Sequence, residues 1–422
     1  MGKCLVSIRR IRRWKANVPI LIVTPYSAFD GWQCELLEEF ETEAIELIGT
    51  RKKRLQILTE NIEKQSKWFM INIEGFRALP EIADIHWACI LADESRFLAN
   101  PKTEQSKFYT NNFRNVPYRI ILSGTPDYHH SLDYYQQLKF LSRDLLPYKN
   151  YWDFRNKAFH QAGYDFILKK SHQELLQKVL SKYCVFLRRK DINIGRKKIY
   201  IKRVLTLPRK FRPVYKTLED EYVLEYKNTS DKTIYAMNAY TWMMRLCSGF
   251  VKDKQEWLGK TNEIIYLLKN ELLDEQIVIG CRFKNDINQL LININNNLDL
   301  QKKGIDATYV HGDITQKKRR QHIIDFKTGK HKVLITQHSI IAHGQDLKNA
   351  TTIIHYSQPI GEEIRDQFDD RIITLSDEKT VLIIDILVKD TVDIDTRKAH
   401  IHHTGMRDIF ENTIKRRQKN GI

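Results

Sequence analysis

The residues most informative about the fold of this chain are Cys89–Thr103, "CILADESRFLANPKT". It begins with a run of apolar and small residues long enough for one buried strand, and Asp93 and Glu94 follow directly. In open α/β sheets, ligands bind beyond the carboxyl ends of the strands. At such a place one carboxylate can hold a phosphate-bound Mg²⁺ through water, while the other takes a proton from an attacking water. The stretch therefore predicts an α/β sheet with an acidic, phosphate-handling site at its edge.

A second apolar stretch, Tyr118–Pro126 ("YRIILSGTP"), ends in Ser123, Gly124 and Thr125. A glycine beside small hydroxyl residues lets the backbone approach a neighbouring segment closely. The hydroxyl groups can then link a nucleotide site to a second surface through hydrogen bonds. The alternative interpretation is an ordinary turn between a strand and a helix.

Short apolar, β-branched runs recur in both halves of the chain, with helical periodicity between them. Besides the two stretches above, they are Pro19–Pro25, Ala44–Gly49, Trp68–Glu74, Gln276–Cys281, Asp306–Gly312, Lys332–Thr336, Thr351–Ser357 and Thr380–Val388. Strands of this kind, separated by helices, are typical of parallel sheets buried on both faces. The sequence therefore predicts two α/β domains, residues 1–200 and 201–422, with a helical insertion in the first. A basic connector within Arg189–Pro208 is expected to carry the boundary.

The composition limits the functional classes. The formal net charge is +17, with Lys and Arg residues spread along the chain, which favours a polyanionic partner, above all nucleic acid, bound along a groove. The alternative is that the charge serves solubility. The six cysteines lie far apart without a C-x-x-C pair, which favours a reducing compartment and argues against structural zinc. Neither a membrane-spanning run nor a signal-peptide pattern is found, so we expect a cytoplasmic protein without membrane association.

Together these motifs resemble those of the Swi/Snf-type ATPases of helicase superfamily two. Residues 93–103 resemble the D-E-[SA]-H and K-N-P-x-[ST] segments, although Arg96 and Ala99 depart from the usual His and Lys, and residues 122–126 resemble L-[ST]-G-T-P. The stretch "LIVTPYSAFDGWQCELLEEF" is similar to an upstream element in which a strand ends at a proline and a helix carries a tryptophan. The resemblance implies that a set of residues couples the nucleotide site to nucleic acid: Thr24, Pro25, Ser123, Gly124 and Thr125.

The second half resembles the remaining motifs of the same family. Residues 344–350 resemble G-x-[DN]-L-x-x-A, and residues 367–371 resemble the start of Q-x-x-x-R-x-x-R, in which Thr374 replaces the second arginine. The resemblance implies that Gly344, Asp346 and Gln367 bind nucleotide and that Arg371 takes part in catalysis.

The first residues, Gly2, Lys3 and Cys4, resemble the end of a phosphate-binding loop, G-x-x-x-x-G-K-[ST]. The resemblance implies that Lys3 contacts the β- and γ-phosphates and that N–H groups at a helix start accommodate the anionic charge. The resemblance implies that the chain, as given, begins inside this loop. Cys4 also stands where a hydroxyl normally binds Mg²⁺, and sulfur is a poor ligand for this hard cation. We therefore expect weak ATP binding and slow or absent hydrolysis.

The family implies two RecA-like domains with ATP and Mg²⁺ between them, and movement along double-stranded DNA as a monomer. Asp93 would hold Mg²⁺ through water, Glu94 would deprotonate the attacking water, and Arg371 would stabilise charge on the transferring phosphate. Two alternatives stay open. One is a nucleic-acid-binding protein that keeps the fold but has lost ATP turnover, and the other is a truncated fragment of an active ATPase. The compact size favours a viral or bacterial source.

Overall fold

The structure is a computed structural model, and it describes most of the chain in separate ranges. These are residues 3–14, 19–124, 126, 131–162, 165–186, 197–228, 234–251, 254–341, 347–372, 380–402 and 406–419. The chain divides into two compact units, Met1–Ile192 and Asn193–Ile422. The boundary expected between residues 200 and 201 lies within a strand of the second unit, Lys198–Leu205.

The first unit contains a five-stranded, fully parallel sheet of order β2-β3-β1-β4-β5. Its strands are β1 (Ile20–Thr24), β2 (Ile45–Glu46), β3 (Trp68–Asn72), β4 (Cys89–Ala92) and β5 (Tyr118–Ile121). All five lie within apolar runs that the sequence predicts to be strands. In β1, Leu21 and Val23 pack into one apolar cluster, whereas Ile20 and Ile22 pack into another. Because successive side chains point to opposite faces and helices cover both faces, the strand is apolar throughout.

Helices and one small hairpin complete the first unit. The helices are α1 (Lys3–Trp14), α2 (Phe29–Phe40), α3 (Arg51–Glu63), α4 (Glu104–Asn112), α5 (Tyr134–Leu141), α6 (Tyr151–Ala158) and α7 (Lys170–Tyr183). The predicted helical insertion also contains an antiparallel hairpin that the sequence analysis missed, β6 (Phe159–Ala162) and β7 (Asp165–Leu168). Phe159 packs edge-on against Phe154 of α6, with ring centroids 5.2 Å apart, so the hairpin adds to the apolar core of the insertion.

The second unit contains a six-stranded, fully parallel sheet of order β12-β13-β11-β14-β15-β8. Its strands are β8 (Lys198–Leu205), β11 (Ile277–Cys281), β12 (Ala307–Val310), β13 (Val333–Gln337), β14 (Thr352–His355) and β15 (Val381–Val388). The sequence predicts five of these as strands and β8 only as an extended segment. As an edge strand β8 is mostly exposed, and so it lacks the continuous apolar run of the others. The predicted fold class, two α/β domains with parallel sheets, is confirmed.

The remaining elements of the second unit cover its sheet. The helices are α8 (Arg212–Asn228), α9 (Ile234–Cys247), α10 (Gly259–Asn270), α11 (Lys284–Asn295), α12 (Leu298–Lys302), α13 (Gln316–Lys327), α14 (His338–Ile341), α15 (Glu362–Asp369), α16 (Val392–Ile401) and α17 (Met406–Lys419). A short antiparallel pair links β9 (Phe250–Val251) and β10 (Lys254–Gln255). Ile277 and Ile279 face one apolar cluster and Val278 faces another, so this core is also double-sided. Within the described ranges, no helix has the length and apolar character needed to cross a membrane.

Candidate nucleotide site

The predicted site residues of the first unit meet where two central, neighbouring strands end. β1 ends at Thr24, β4 is followed by Asp93 and Glu94, and α1 begins at Lys3. The backbone N–H of Asp93 donates to the carbonyl of Val23 over 2.8 Å, which carries the pairing of the two strands one residue beyond β4. Parallel pairing therefore brings the hydroxyl of Thr24 and the acidic pair to the same edge of the sheet.

Asp93 is almost completely buried, and its carboxylate is held by three donors. Oδ2 accepts hydrogen bonds from the hydroxyl of Thr24 at 2.9 Å and from the indole N–H of Trp32 at 3.0 Å. Oδ1 accepts the backbone N–H of Glu94 at 2.9 Å. Burial raises the pKa of Asp93 above its ordinary value, whereas the nearby Lys3 ammonium and the hydrogen-bond donors act to lower it. These contacts fix the carboxylate in one orientation, and Trp32 of α2 is a direct part of the site.

Glu94 is placed by an uncommon backbone conformation. Its φ of 48° and ψ of 52° lie in the left-handed region, which costs a residue with a side chain roughly 1–2 kcal/mol. The chain turns sharply away from the sheet at this residue, and the Glu94 carboxylate lies beside Lys3: Oε1 is 2.9 Å from the ammonium nitrogen Nζ. Sequence patterns do not show this turn, because glutamate carries no preference for it.

Lys3 contacts both carboxylates. Its Nζ lies 2.9 Å from Glu94 Oε1 and 4.0 Å from Asp93 Oδ1, and its side chain remains 35% exposed. Burial lowers the pKa of the Lys3 ammonium, but the charges of Glu94 and Asp93 raise it by more, so the pKa lies above its usual range. The ammonium is thus charged and accessible from solvent, two properties that phosphate binding requires, and it lies beside the acidic pair.

Cys4 behaves as a small apolar side chain. It packs against the apolar cluster that contains Ile8 and Ile11 of α1. Burial raises the pKa of its thiol far above the ordinary value, so the sulfur stays protonated. A protonated sulfur in an apolar cluster is unsuited to Mg²⁺. Gly2, the residue predicted to bind phosphate beside it, lies outside the described residues.

The segments that follow β4 and β5 are joined through a residue that the sequence analysis missed, Gln137 of α5. Its Oε1 accepts a hydrogen bond from the hydroxyl of Ser95 at 2.7 Å, and its Nε2 donates to the carbonyl of Pro126 at 2.7 Å. The backbone N–H of Ser95 also donates to Leu122 over 2.7 Å. Gln137 is buried, so these bonds are shielded from water. A polar side chain on the buried face of an apolar helix was the available signal.

The predicted coupling residues have different surroundings. Thr24 binds Asp93 directly, and the carbonyl of Pro25 accepts the N–H of Ala28 at 2.9 Å, which starts the turn into α2. Ser123 is half-buried and Gly124 is exposed, with nothing within 4 Å of the place a Cβ would take. Thr125 lies outside the described residues. Their predicted role in coupling to nucleic acid stays a prediction.

In the second unit, Gln367 lies on α15 and Arg371 in the 3₁₀ turn that follows. The Gln367 amide donates to Glu363 Oε1 at 3.0 Å, and the backbone carbonyl of Arg371 accepts the N–H of Leu347 at 3.0 Å. Gly344, Asp346 and Thr374 lie outside the described residues. The nucleotide-binding and catalytic roles expected for these positions therefore stay predictions.

A buried polar network, also missed from the sequence, attaches α15 to the sheet of the second unit. His338 Nδ1 is 3.0 Å from the carbonyl oxygen of Cys281, and its Nε2 is 3.0 Å from Nδ1 of His355. His355 Nε2 lies 2.8 Å from Oδ1 of Asp369, the last residue of α15. Burial raises the pKa of Asp369, but His355 and Arg365 lower it by more, so this carboxylate stays ionised.

Arg365 extends the network to β15. Its Nη2 lies 2.8 Å from Oδ1 of Asp385, and Nε of Arg397 lies 2.6 Å from Oδ2 of the same residue. All members of this network are buried. Such a network fixes one register of α15 on the sheet, because each displaced charge would be left without a partner. The polar residues His355 and Asp385 within otherwise apolar strands were the sequence signal for it.

The oxygen donors of the first unit fit a hydrated Mg²⁺. Asp93 offers a carboxylate whose orientation is fixed, and carboxylate oxygen is the donor this ion prefers, most often with several waters retained. Among the described residues, no group of three or more His, Cys, Asp or Glu side chains could hold an ion directly. This donor set therefore suits an ion that is held mainly by water and by the phosphates of a substrate.

Comparison with known proteins assigns both halves of the chain. The SNF2-related domain matches residues 3–255, and the helicase conserved C-terminal domain matches residues 259–375. An uncharacterized ATP-dependent helicase of Mycoplasma genitalium is 24% identical over 404 residues, which cover 90% of this chain and 36% of that protein. Eukaryotic initiation factor 4A of Dictyostelium discoideum is 32% identical over 111 residues, which cover 26% of this chain and 25% of that protein. The chain therefore spans only about a quarter to about a third of these relatives' length.

The solved structures that are similar to this chain include two from Sulfolobus solfataricus. The SWI2/SNF2 ATPase core in complex with dsDNA shares 18% identity at a TM-score of 0.40, over 95% of this chain and 84% of that one. The SWI2/SNF2 ATPase core domain shares 17% identity at a TM-score of 0.39, over 98% of this chain and 84% of that one. These similarities are too low to carry the assignment, which rests on the domain matches. Because the SNF2-related domain covers more than half of the sequence, this chain belongs to the SNF2-related family of helicase-like ATPases.

Proposed function

We propose that this chain hydrolyses ATP and couples hydrolysis to movement along duplex DNA. The observation that supports this most directly is the cluster of Lys3, Thr24, Asp93 and Glu94 at the carboxyl ends of β1 and β4. It combines a cation for phosphate, a fixed carboxylate for hydrated Mg²⁺ and a second carboxylate beside them. Phosphoryl transfer needs little more from the protein than such positioning and charge stabilisation.

The contact between Lys3 and Glu94 suggests the sequence of events at the site: Lys3 binds a phosphate first, and Glu94 accepts a proton afterwards. With its carboxylate 2.9 Å from the ammonium group, Glu94 is held in an ion pair with Lys3. When Lys3 binds a substrate phosphate instead, this ion pair is broken and the Glu94 carboxylate becomes available to the attacking water. Glu94 can then accept a proton from the attacking water. In this scheme Asp93 stays in place, because Thr24 and Trp32 hold it independently of Lys3.

Duplex DNA as the partner is supported by charge and by family. The net charge of +17 is spread over both halves of the chain, as expected for contacts along a phosphate backbone. Contacts of this kind position a protein without reading base sequence. We therefore propose binding to duplexes of unrelated sequence, with an affinity that falls steeply as salt rises.

The test is phosphate release from ATP by the purified chain, with and without duplex DNA, over a salt series. We expect release that duplex DNA accelerates at low salt. The acceleration should disappear as salt rises, because releasing counterions into a more concentrated salt solution yields less free energy and DNA binding weakens. The Glu94→Gln variant, purified in the same way, measures the activity of any contaminating ATPase. Turnover equal in that variant, or unaffected by any duplex, would contradict the proposal.

A second candidate is a protein that binds nucleic acid and nucleotide without turnover. The observation that favours it is Cys4, whose protonated sulfur lies in an apolar cluster instead of offering Mg²⁺ an oxygen. This candidate predicts duplex binding with the same salt dependence, and ATP binding without phosphate release. The same assay, combined with nucleotide-binding measurements, separates the two.

A further inference from the structure

A strongly cationic pocket lies within the first unit, between the segment after β4 and the helices α4, α5 and α6. It has a volume of about 610 Å³. Six basic residues line it: Lys102, Lys107, Arg114, Lys139, Arg143 and Lys149. Its lining contains no acidic residue. The pocket thus concentrates positive charge at one place, whereas most of the basic residues of this chain are spread along its length.

Acidic residues outside the pocket do not form ion pairs with its six basic side chains. Across the ranges that the structure describes, none of the six side-chain cations lies within 4.0 Å of a carboxylate oxygen, although Asp144 and Asp153 lie close enough to interact with Lys139 and Lys149. Lys139 donates instead to the backbone carbonyl of Arg143 at 2.5 Å. Burial lowers the pKa of Lys139, Asp144 acts in the opposite direction, and the guanidinium of Arg143 adds a smaller lowering effect. With six basic side chains and no acidic one in its lining, the pocket offers an entering anion an excess of positive charge.

An aromatic side chain stands at the wall of the pocket. Trp152 is 44% exposed, although tryptophan has the largest side chain of the apolar residues. Lys102 Nζ lies 5.0 Å from the centre of this ring and Arg155 Cζ lies 4.6 Å from it. These cation–π contacts order the two basic side chains without cancelling their charge, since a ring carries no net charge. A second pocket of about 570 Å³ shares Trp152 and Lys102 with the first and adds Arg155.

We propose that this pocket binds an unpaired nucleotide of a nucleic-acid strand, with its base stacked on Trp152 and its phosphates on the surrounding lysines and arginines. The combination of a basic groove and an exposed aromatic ring is how proteins bind single strands without reading sequence, because every base has a π face. The bases of an intact duplex are stacked on one another and cannot reach such a ring. The inference extends the proposed nucleic-acid function, but it requires neither ATP nor duplex DNA.

The pocket is also connected to the nucleotide site. Gln136 and Lys139 of α5 line the pocket, while the neighbouring Gln137 accepts a hydrogen bond from Ser95, the residue after Glu94. Gln136 Nε2 lies 3.3 Å from the hydroxyl of Thr110 on α4, so α5 is held between the two sites. A strand bound in the pocket would therefore contact the helix that positions the segment after Glu94.

The experiment measures fluorescence polarisation of a labelled oligothymidylate and of a blunt duplex with the full chain, over a salt series and without ATP. Stacking on an aromatic side chain accounts for about 5- to 150-fold in affinity per base. We expect Trp152→Ala to weaken oligothymidylate binding within this range and to change duplex binding little, and Trp152→Phe to restore most of it. Changing Lys102 and Lys149 together to Ala should reduce the slope of log affinity against log salt by about 1.4.

Trp242→Ala is the matched control. Trp242 is 37% exposed on α9 of the second unit, with Arg245 Cζ 4.8 Å from its ring. Circular dichroism melts show whether each variant is folded. The proposal is wrong if Trp152→Ala leaves oligothymidylate binding unchanged, if it weakens duplex binding equally, or if Trp242→Ala has the same effect. In each of these cases, duplex-stimulated hydrolysis would still test the proposed function separately.

Discussion

Two lysines of this chain follow a glycine near the start of a helix, and the structure gives them different surroundings. Lys3 follows Gly2 and opens α1, whereas Lys260 lies between Gly259 and Thr261 in the first turn of α10. Each is paired with a carboxylate. Lys3 Nζ lies 2.9 Å from Glu94 with its side chain 35% exposed, and Lys260 Nζ lies 2.5 Å from Asp393 Oδ2 with its side chain fully buried.

The partners explain the difference. The ammonium of Lys260 also donates to the carbonyl of Tyr356 at 2.9 Å, and Asp393 Oδ2 also lies 3.2 Å from the backbone nitrogen of Val388. This pair connects α10 to α16, to the end of β15 and to the residue that follows β14, and it has no access to solvent. Within the described part of the chain, the partners of the Lys3 ammonium are the two carboxylates that follow β4, at the carboxyl end of that strand, and the Lys3 side chain stays partly exposed. A Gly-Lys dipeptide at a helix start is therefore insufficient to predict a phosphate site, and exposure decides between the two roles.

The largest effect is expected at the partly exposed pair of Lys3 and Glu94, which we propose acts on the substrate. Glu94→Gln should lower ATP hydrolysis by about 100- to 10,000-fold, because the amide keeps the shape of the side chain but cannot accept the proton of water. Nucleotide affinity and thermal stability should change little. Phosphate release and nucleotide binding measure the two effects separately. Glu39→Gln is the matched control, since Glu39 pairs with Arg9 on the exposed surface of the same unit, and an equal loss in that variant would contradict the assignment.

The buried pair should act on stability. Lys260→Met should lower the free energy of unfolding by about 3–5 kcal/mol, because Asp393 is left charged and buried without its partner. Lys3→Met should change it by no more than about 1 kcal/mol, since its pair is partly exposed. Urea unfolding followed by circular dichroism measures both. Changing Lys260 to Met and Asp393 to Leu together should recover part of the loss. Similar losses in Lys260→Met and Lys3→Met would contradict the view that only the buried pair stabilises the fold.

A smaller effect is expected at Gln137, which connects α5 to the segment after Glu94. Gln137→Leu introduces an apolar side chain of similar size, which leaves the Ser95 hydroxyl and the Pro126 carbonyl without this partner. We expect a loss of about 1–3 kcal/mol in unfolding free energy. We also expect nucleic acid to stimulate hydrolysis less in this variant, while the dependence of hydrolysis on ATP concentration changes little. Gln56→Leu, on the exposed surface of α3 in the same unit, is the control. An unchanged response to nucleic acid in Gln137→Leu would contradict a positioning role.

The smallest effect concerns Cys4. Cys4→Thr adds a hydroxyl oxygen that Mg²⁺ accepts as a ligand, so half-maximal hydrolysis should require a few-fold less Mg²⁺. The hydroxyl also enters an apolar cluster, and a stability loss of about 1 kcal/mol is expected. Hydrolysis measured against Mg²⁺ concentration tests the first effect. Cys4→Ala removes the sulfur without adding oxygen, and a gain of equal size in that variant would show that the oxygen is not the cause.

Much of the fold was predictable, because buried parallel strands require continuous apolar runs. All five strands of the first sheet and five of the six in the second fall within runs chosen from the sequence. The edge strand β8 and the hairpin of β6 and β7 were not predicted as strands. Edge and hairpin positions are partly exposed, so their side chains need not be apolar and leave a weaker pattern.

The candidate site was predictable only in part. Asp93 and Glu94 follow a recognisable strand, so local sequence indicates both, whereas Lys3 is indicated only together with the other motifs of the family. The contacts of Asp93 with Thr24 and Trp32, and of Gln137 with Ser95, join residues 42 to 69 positions apart. No local pattern specifies such a pairing, because it depends on which strands become neighbours and which helix packs over them.

Residue types and short-range order are enough to indicate two parallel α/β domains, an acidic pair after a buried strand and a large positive charge. Apolar periodicity and net charge are local or additive properties, so they can be read from the chain directly. Tertiary packing was needed to show that Lys3 is partly exposed beside Glu94 while Lys260 is buried with Asp393, and that six basic residues surround one pocket near Trp152. Burial and charge neutralisation are set by neighbours distant in the sequence, and they determine whether a lysine stabilises the fold or remains available to bind phosphate.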